Sequence, residues 1–308
     1  MKDVALVSVP FGLGAGCRGS EHGPDALRRL GLLSELAKRG IRVASEAEAT
    51  LPAASNSPAW QLTAAYAGRV PAMKHAAEVM GIGIACANQA SAAIAASTFP
   101  VVVGGDHSIA IGTMAGLSAH YERPGIIWFD AHADLNTEAT SLSGNMHGIA
   151  LAVALGTTDL PFDSLHPAAK PVDLQRVVLI GARDLDPAEL QWMRHSGVAY
   201  FDMAAIRALG MEEVAKRALH IAGGDGADAI HLSFDIDSID PTEAPGTGTP
   251  VTGGISSAEA RIALRAFGES PLLASADFVE LNPLLDQGNR TAKLMISLIG
   301  ELLAARKK

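Results

Sequence analysis

The chain has 308 residues, 48% of them hydrophobic and 19% charged, which is enough apolar material for a sizeable core and excludes global disorder. Lys and Arg number 24 against 33 Asp and Glu, a formal net charge of −9 with no basic cluster, so the surface repels phosphate backbones and no nucleic-acid partner is expected. Mean hydropathy is +0.21, yet no unbroken apolar run approaches the roughly 18–20 residues that span a bilayer, so no membrane partner is expected either.

In chain order, eight short β-branched runs recur with helix-like stretches between them: Val4–Val9, Ile41–Ala44, Val101–Val103, Ile126–Phe129, Val177–Ile180, Val198–Phe201, Ile230–Phe234 and Leu272–Val279. Several are apolar throughout, the pattern of strands buried on both faces of a parallel sheet. Pro24 suits a first helical position, and Leu27, Leu30, Leu33 and Leu36 give the helix that follows a single apolar face. Residues 46–60, alanine-rich with two prolines, read as an exposed loop. Leu294, Met295, Leu298, Ile299, Leu302 and Leu303 keep helical spacing up to a basic end at Arg306, Lys307 and Lys308. No repeat or linker divides the chain, so residues 1–308 read as one α/β domain. The two cysteines, Cys17 and Cys86, form no CxxC pair, and such sparse usage suits a reducing compartment. Asp3 and Pro10 spoil a secretory leader, and a cytoplasmic protein is expected.

In parallel sheets, chemistry collects at the carboxyl ends of the strands. Here four ends carry acids and histidines: Gly104-Gly105-Asp106-His107-Ser108, Asp130-Ala131-His132-Ala133-Asp134, Asp235-Ile236-Asp237-Ser238-Ile239-Asp240-Pro241, and Asp277-Phe278-Val279-Glu280-Leu281-Asn282-Pro283. Extended chain puts residues i and i+2 on one face about 6.6 Å apart, so Asp130, His132 and Asp134 can converge, as can Asp235 and Asp237. Four unpaired carboxylates in one place would repel and lose hydration, whereas two divalent cations would cancel their charge. Oxygen and imidazole ligands without thiolate suit Mn(II) or another borderline-to-hard ion over structural zinc. A lone acid or histidine at a strand end is ordinarily a cap or a surface group. Three such motifs on three strand ends make metal binding the better reading. His231, four residues from Asp235 and so about 13 Å away, reads as a packed or hydrogen-bonded strand residue.

Gly14-Ala15-Gly16-Cys17-Arg18-Gly19 matches GxGxxG after a strand, the outline of a dinucleotide site. The third glycine should already lie in a helix, yet Pro24 marks a start about five residues later, and a nucleotide leaves the acidic strand ends unexplained. A flexible loop at the mouth of the site is expected instead.

Taken together, these motifs resemble the ureohydrolases, and among them the arginases, in kind and order from the Gly-Pro-Asp-Ala-Leu-Arg stretch at 23–28 through the last helix. The resemblance implies a three-layer α/β sandwich around an eight-stranded parallel sheet. It implies one Mn(II) held by His107, Asp130, Asp134 and Asp235, and a second by His132, Asp130, Asp235 and Asp237. The implied reaction is attack of a metal-bridging hydroxide on the guanidinium of L-arginine, giving L-ornithine and urea. Glu280 resembles the carboxylate that fixes the guanidinium, Asp134 the group that holds the hydroxide proton, and His147 the proton shuttle. Asn136 and Ser143 resemble groups directed at the α-carboxylate, with Asn145 and Thr137 nearby. Asp186 resembles the residue that meets the α-ammonium, Glu189 adds negative potential there, and Thr249 lines the pocket. Glu138, Ala133 and Ala182 depart from the common pattern, and Glu138 places a negative charge beside the carboxylate-binding loop. The resemblance also implies a homotrimer or homohexamer. The nearest alternative is a sister ureohydrolase acting on agmatine or another guanidino acid. A deacetylase on a related sheet, a metal-binding regulator and a nucleotide-dependent oxidoreductase stand further off.

Overall fold

The computed structural model describes residues 3–51, 73–224 and 226–306. Strands β1 (Val4–Val9), β2 (Val43–Glu48), β3 (Phe99–Gly104), β4 (Pro124–Phe129), β5 (Val177–Ile180), β6 (Ala199–Phe201), β7 (Ala229–Asp235) and β8 (Leu273–Val279) form one parallel sheet in the order β2-β1-β3-β8-β7-β4-β5-β6. The strands whose ends carry the acids and histidines are therefore neighbours: β3, β8, β7 and β4 run side by side at the centre.

Helices cover both faces, giving the expected three layers. On one face lie α1 (Gly23–Arg29), α2 (Leu32–Lys38), α7 (Met203–Leu209), α8 (Met211–Ala222), α9 (Ser257–Glu269) and α10 (Arg290–Ala305). On the other lie α3 (Ala76–Ala95), α4 (Ala110–Ser118), α5 (Ala150–Ala154) and α6 (Pro187–Ser196). Strand side chains alternate between the two cores: Ile127 and Phe129 enter the first, Ile126 and Trp128 the second. Both faces being dry explains the near-continuous apolar runs.

Two expectations need correction. The leucine face after Pro24 belongs to two helices, because Gly31 at φ 98° turns the chain between α1 and α2. Both still bury their leucines, since Leu27 and Leu36 are fully enclosed. The second strand begins at Val43 and extends to Glu48, so residues 46–48 are strand where a loop is expected. As the sheet edge, β2 needs no apolar partner on each side, which is why Ser45, Glu46 and Glu48 are exposed along it. The part of the expected loop at 52–60 lies outside the described residues.

Candidate metal centre and substrate pocket

The central strand ends hand their side chains to one point through short capped turns. After β3, the Asp106 carboxylate accepts from the Ser108 backbone N–H at 3.0 Å and starts the turn that presents His107. After β4, the Asp130 carboxylate accepts from the His132 N–H at 2.8 Å and from the Trp128 indole N–H at 3.0 Å. Past β7, the Asp235 carboxylate accepts from the Asp237 N–H at 2.8 Å. Asp134 (φ 52°) and Glu280 (φ 63°) are two of five non-glycine residues with left-handed backbone among the described residues, a conformation that costs on the order of 1–2 kcal/mol. Both are site residues, so the strain sits where the site needs the side chain turned inward.

His107 Nδ1 lies 3.0 Å from Asp130 Oδ2, 3.1 Å from Asp235 Oδ2 and 3.2 Å from Asp134 Oδ2, yet it has no hydrogen-bond partner although fully buried. Beside it, His132 Nδ1 stands 3.4 Å from Asp130 Oδ1 and 3.2 Å from Asp237 Oδ2. The donors fall into two groups, His107 with Asp130 and Asp235, and Asp130 with His132 and Asp237. Asp130 belongs to both. A buried imidazole nitrogen aimed at carboxylate oxygens, with no bond of its own, fits a cation centre, and oxygen and imidazole donors fit a borderline-to-hard divalent ion.

Electrostatics point the same way. Burial works against charge on His107 and His132, but the close carboxylates around them outweigh it and raise both well above the usual imidazole range. Burial and mutual repulsion push Asp134, Asp235 and Asp237 up, while the two imidazoles overcome burial and hold Asp130 down. The cluster retains positive charge wherever it can be placed.

Beside the cluster, Glu280 Oε1 meets His147 Nδ1 at 2.9 Å and accepts from the His107 backbone N–H at 2.8 Å. Burial opposes the His147 cation, but this bond outweighs it and sets the ring at about 9. The glycine-rich segment is a loop tied to the site at its first glycine. Gly14 donates its N–H to Asp106 Oδ2 at 2.7 Å and accepts from the His147 N–H at 3.1 Å, bracing the His147 backbone against the sheet. A Cβ at Gly14 would strike Ser108 Oγ and Asp106 Oδ1, so the motif's first glycine serves close packing.

A cavity of about 190 Å³ opens onto the cluster, its walls including Asn136, Ser143, Asp186, Glu189 and Thr249. Asn136 Nδ2 donates to Asp186 Oδ2 at 2.8 Å, so the amide and carboxylate at the far end orient each other. The Thr249 hydroxyl donates to Asp237 Oδ2 at 2.9 Å.

Residues 2–305 match the model of the arginase family. The chain belongs to the arginase family. It is 39% identical to an arginase of Brevibacillus brevis, over 98% of this chain and 97% of that one, and 37% identical to an arginase of Bacillus caldovelox over 99% of each. The crystal structure of arginase from Bacillus subtilis superposes with a TM-score of 0.88 at 37% identity, covering 98% of both chains. A hypothetical agmatinase from Burkholderia thailandensis is more distant, with a TM-score of 0.74 at 27% identity, covering 99% of this chain and 86% of that one. The protein is thus an arginase-family ureohydrolase, a hydrolase with a His/Asp cluster built for metal.

Five of the six residues expected as ligands fall in the two donor groups, Asp134 stands beside them 3.2 Å from His107 Nδ1, and His147 and Glu280 adjoin the cluster. The substrate side divides. Asn136, Ser143, Asp186, Glu189 and Thr249 line the cavity, whereas Thr137, Asn145 and Glu280 do not, Glu280 standing behind His147, which does. The Thr137 backbone N–H is taken by Thr140 Oγ1 at 2.8 Å, and Asn145 Oδ1 accepts from Lys74 Nζ at 3.3 Å. Glu189 also accepts from the backbone N–H of Leu135 and of Asp186, both at 2.9 Å, so it ties the two recognition loops together. Glu138 turns away, accepting from the Asp159 N–H at 3.1 Å.

Several supporting residues escape a motif reading. Trp128 stacks on His107 with ring centroids 4.1 Å apart while bonding Asp130. The Arg183 guanidinium donates to the backbone carbonyls of Gly181, Asp237, Ser238 and Val251 at 2.8–3.2 Å, pinning three loops. Asp184 lines the cavity with its carboxylate 3.9 Å from His132 Nε2. His231 is hydrogen-bonded inside the sheet, as expected.

Proposed function

We propose that this protein hydrolyses L-arginine to L-ornithine and urea with two Mn(II) ions, one held by His107, Asp130, Asp134 and Asp235 and the other by Asp130, His132, Asp235 and Asp237. The observation that carries this reading is the orphaned Nδ1 of His107 facing three carboxylate oxygens within 3.2 Å. When bound, such a pair of ions supplies Lewis acidity that makes water nucleophilic near neutral pH.

The residues do the rest. Glu280 Oε1 is held by His147 and the His107 backbone, which leaves the carboxylate fixed to orient a planar guanidinium through its other oxygen. Asp134, turned inward by its left-handed backbone, holds the proton of the attacking water. His147, charged at neutral pH because its ring is raised to about 9, delivers a proton from Nε2, the nitrogen not bonded to Glu280, to the departing amine and recovers it from solvent. At the far end, Asn136 and Ser143 donate to the α-carboxylate and Asp186 accepts from the α-ammonium. Agmatine has no carboxylate for that amide and hydroxyl to meet, which favours arginine, as does the greater likeness to arginases.

Urea release from L-arginine and agmatine, measured side by side on manganese-loaded protein, tests the assignment. Arginine is expected to be the better substrate by kcat/KM. A preference for agmatine overturns the substrate while leaving the chemistry.

A further inference from the structure

Strands β7 and β8 break the rule of the sheet they belong to. Ile230, Leu232 and Phe234 of β7, with Ala276 and Phe278 of β8, fill one apolar core. The alternate residues on the other face are His231, Ser233 and Asp235, paired in register with Ser275, Asp277 and Val279. Alternation of this kind ordinarily marks a strand with one face in water. Here His231, Ser233 and Asp277 have no exposed surface and Ser275 has 1%. A buried carboxylate is costly unless its oxygens are bonded, and in this case both are. Asp277 Oδ1 accepts from the Ser233 hydroxyl at 2.6 Å, and Oδ2 meets His231 Nε2 at 3.0 Å. The line continues at both ends: His231 Nδ1 to Ser275 Oγ at 2.8 Å, and Ser233 Oγ to His107 Nε2 at 2.9 Å.

Donor and acceptor counting gives this line a direction. A carboxylate only accepts, so the Ser233 hydroxyl proton is committed to Asp277 and its oxygen is left as an acceptor. His107 must then carry its proton on Nε2. Its Nδ1, facing Asp130, Asp134 and Asp235, is then the nitrogen on which a metal ion would replace a proton. The same logic makes His231 a donor at Nε2 and an acceptor from Ser275 at Nδ1.

We propose that Ser233, Asp277 and His231 form a positioning relay that fixes the tautomer and ring angle of His107 for one of the two metal ions. It rests on the dimetal reading above and extends that reading about one strand's width into the sheet. Outer partners of a ligating histidine ordinarily govern metal affinity by about 10- to 100-fold.

The test is a stepwise manganese titration of chelator-stripped protein, with thermal melts in chelator as a check on folding. Ser233→Ala is expected to weaken one of the two binding steps by about 10- to 100-fold and leave the other unchanged. Ser233→Thr, which keeps the hydroxyl, is expected to restore it. Asp277→Asn turns one oxygen into a donor and should weaken the same step, and His231→Leu, one link further out, should do so by less. A merely structural role would lower the melting temperature and shift both steps together. That result overturns the relay, as do unchanged affinities or failure of the threonine variant to restore binding. Should Ser233→Ala not fold, the Asp277 and His231 variants carry the same comparison. Wild-type protein that takes up fewer than two ions overturns the dimetal reading itself, so the two failures are distinguishable.

Discussion

The cation cluster and the recognition rim lie within one cavity but are built by different means. Every expected metal ligand stands at, or within a few residues of, the end of a central strand, and all but His132 are buried. The rim rests on loops whose polar groups hold one another: Asn136 on Asp186, Glu189 on Leu135 and Asp186, Thr140 on Asn136. Strand ends place a side chain by the geometry of the whole sheet. Loop groups are placed by a handful of local bonds, each worth about 1 kcal/mol. The first arrangement fixes the reaction, and the second can be re-cut for another guanidine at small cost to stability.

This contrast can be broken from either side. The largest effect is expected at Asp130, which serves both ligand groups. Asp130→Ala should leave fewer than two metals per chain by elemental analysis and reduce kcat by at least about a thousandfold, since metal assistance supplies several kcal/mol. Next comes His147→Asn, expected to slow turnover by about 10²-fold with two metals retained, because it removes a proton carrier and no ligand. Coincident loss of manganese would make His147 part of the cluster. At the rim, Asn136→Ala should raise KM for L-arginine by about tenfold while kcat, metal content and turnover of agmatine, which has no carboxylate to lose, stay near their original values. An equal effect on agmatine would dissolve the distinction between cluster and rim.

The smallest effect concerns the His147–Glu280 pair. His147 is raised from its ordinary 6.5 to about 9, so its bond to Glu280 adds stability fully below pH 6.5 and loses it as pH rises through about 9. The melting-temperature gap between wild type and His147→Asn should close over that window. A gap independent of pH would mean that His147 is neutral in its bond to Glu280.

The cluster was legible because acids and histidines are rare inside apolar strands, so Asp130-Ala131-His132-Ala133-Asp134 and Asp235-Ile236-Asp237 stand out against their surroundings. The sheet was legible for the same reason, strand by strand, but its order was not. That β3, β8, β7 and β4 are neighbours depends on crossovers that leave no local trace. The break between α1 and α2 was hidden because leucines at 27, 30, 33 and 36 keep their spacing across Gly31, and only its φ of 98° ends the first helix. Serines, threonines and asparagines populate any loop, so nothing distinguished Asn136, which reaches the cavity, from Thr137, which closes a turn beside it. His231, Ser233 and Asp277 did leave a signal. Strict alternation of polar and apolar residues in a run flanked by fully apolar strands marks a buried polar face.

Trp128 has the widest reach of the supporting residues. The indole lies in the hydrophobic layer beneath the helices, yet its ring lies flat on His107 and its nitrogen grips Asp130. Interior volume and coordination chemistry therefore share a side chain. Repacking this layer for thermostability, ordinarily a matter of filling space, would retune the affinity of the centre above it.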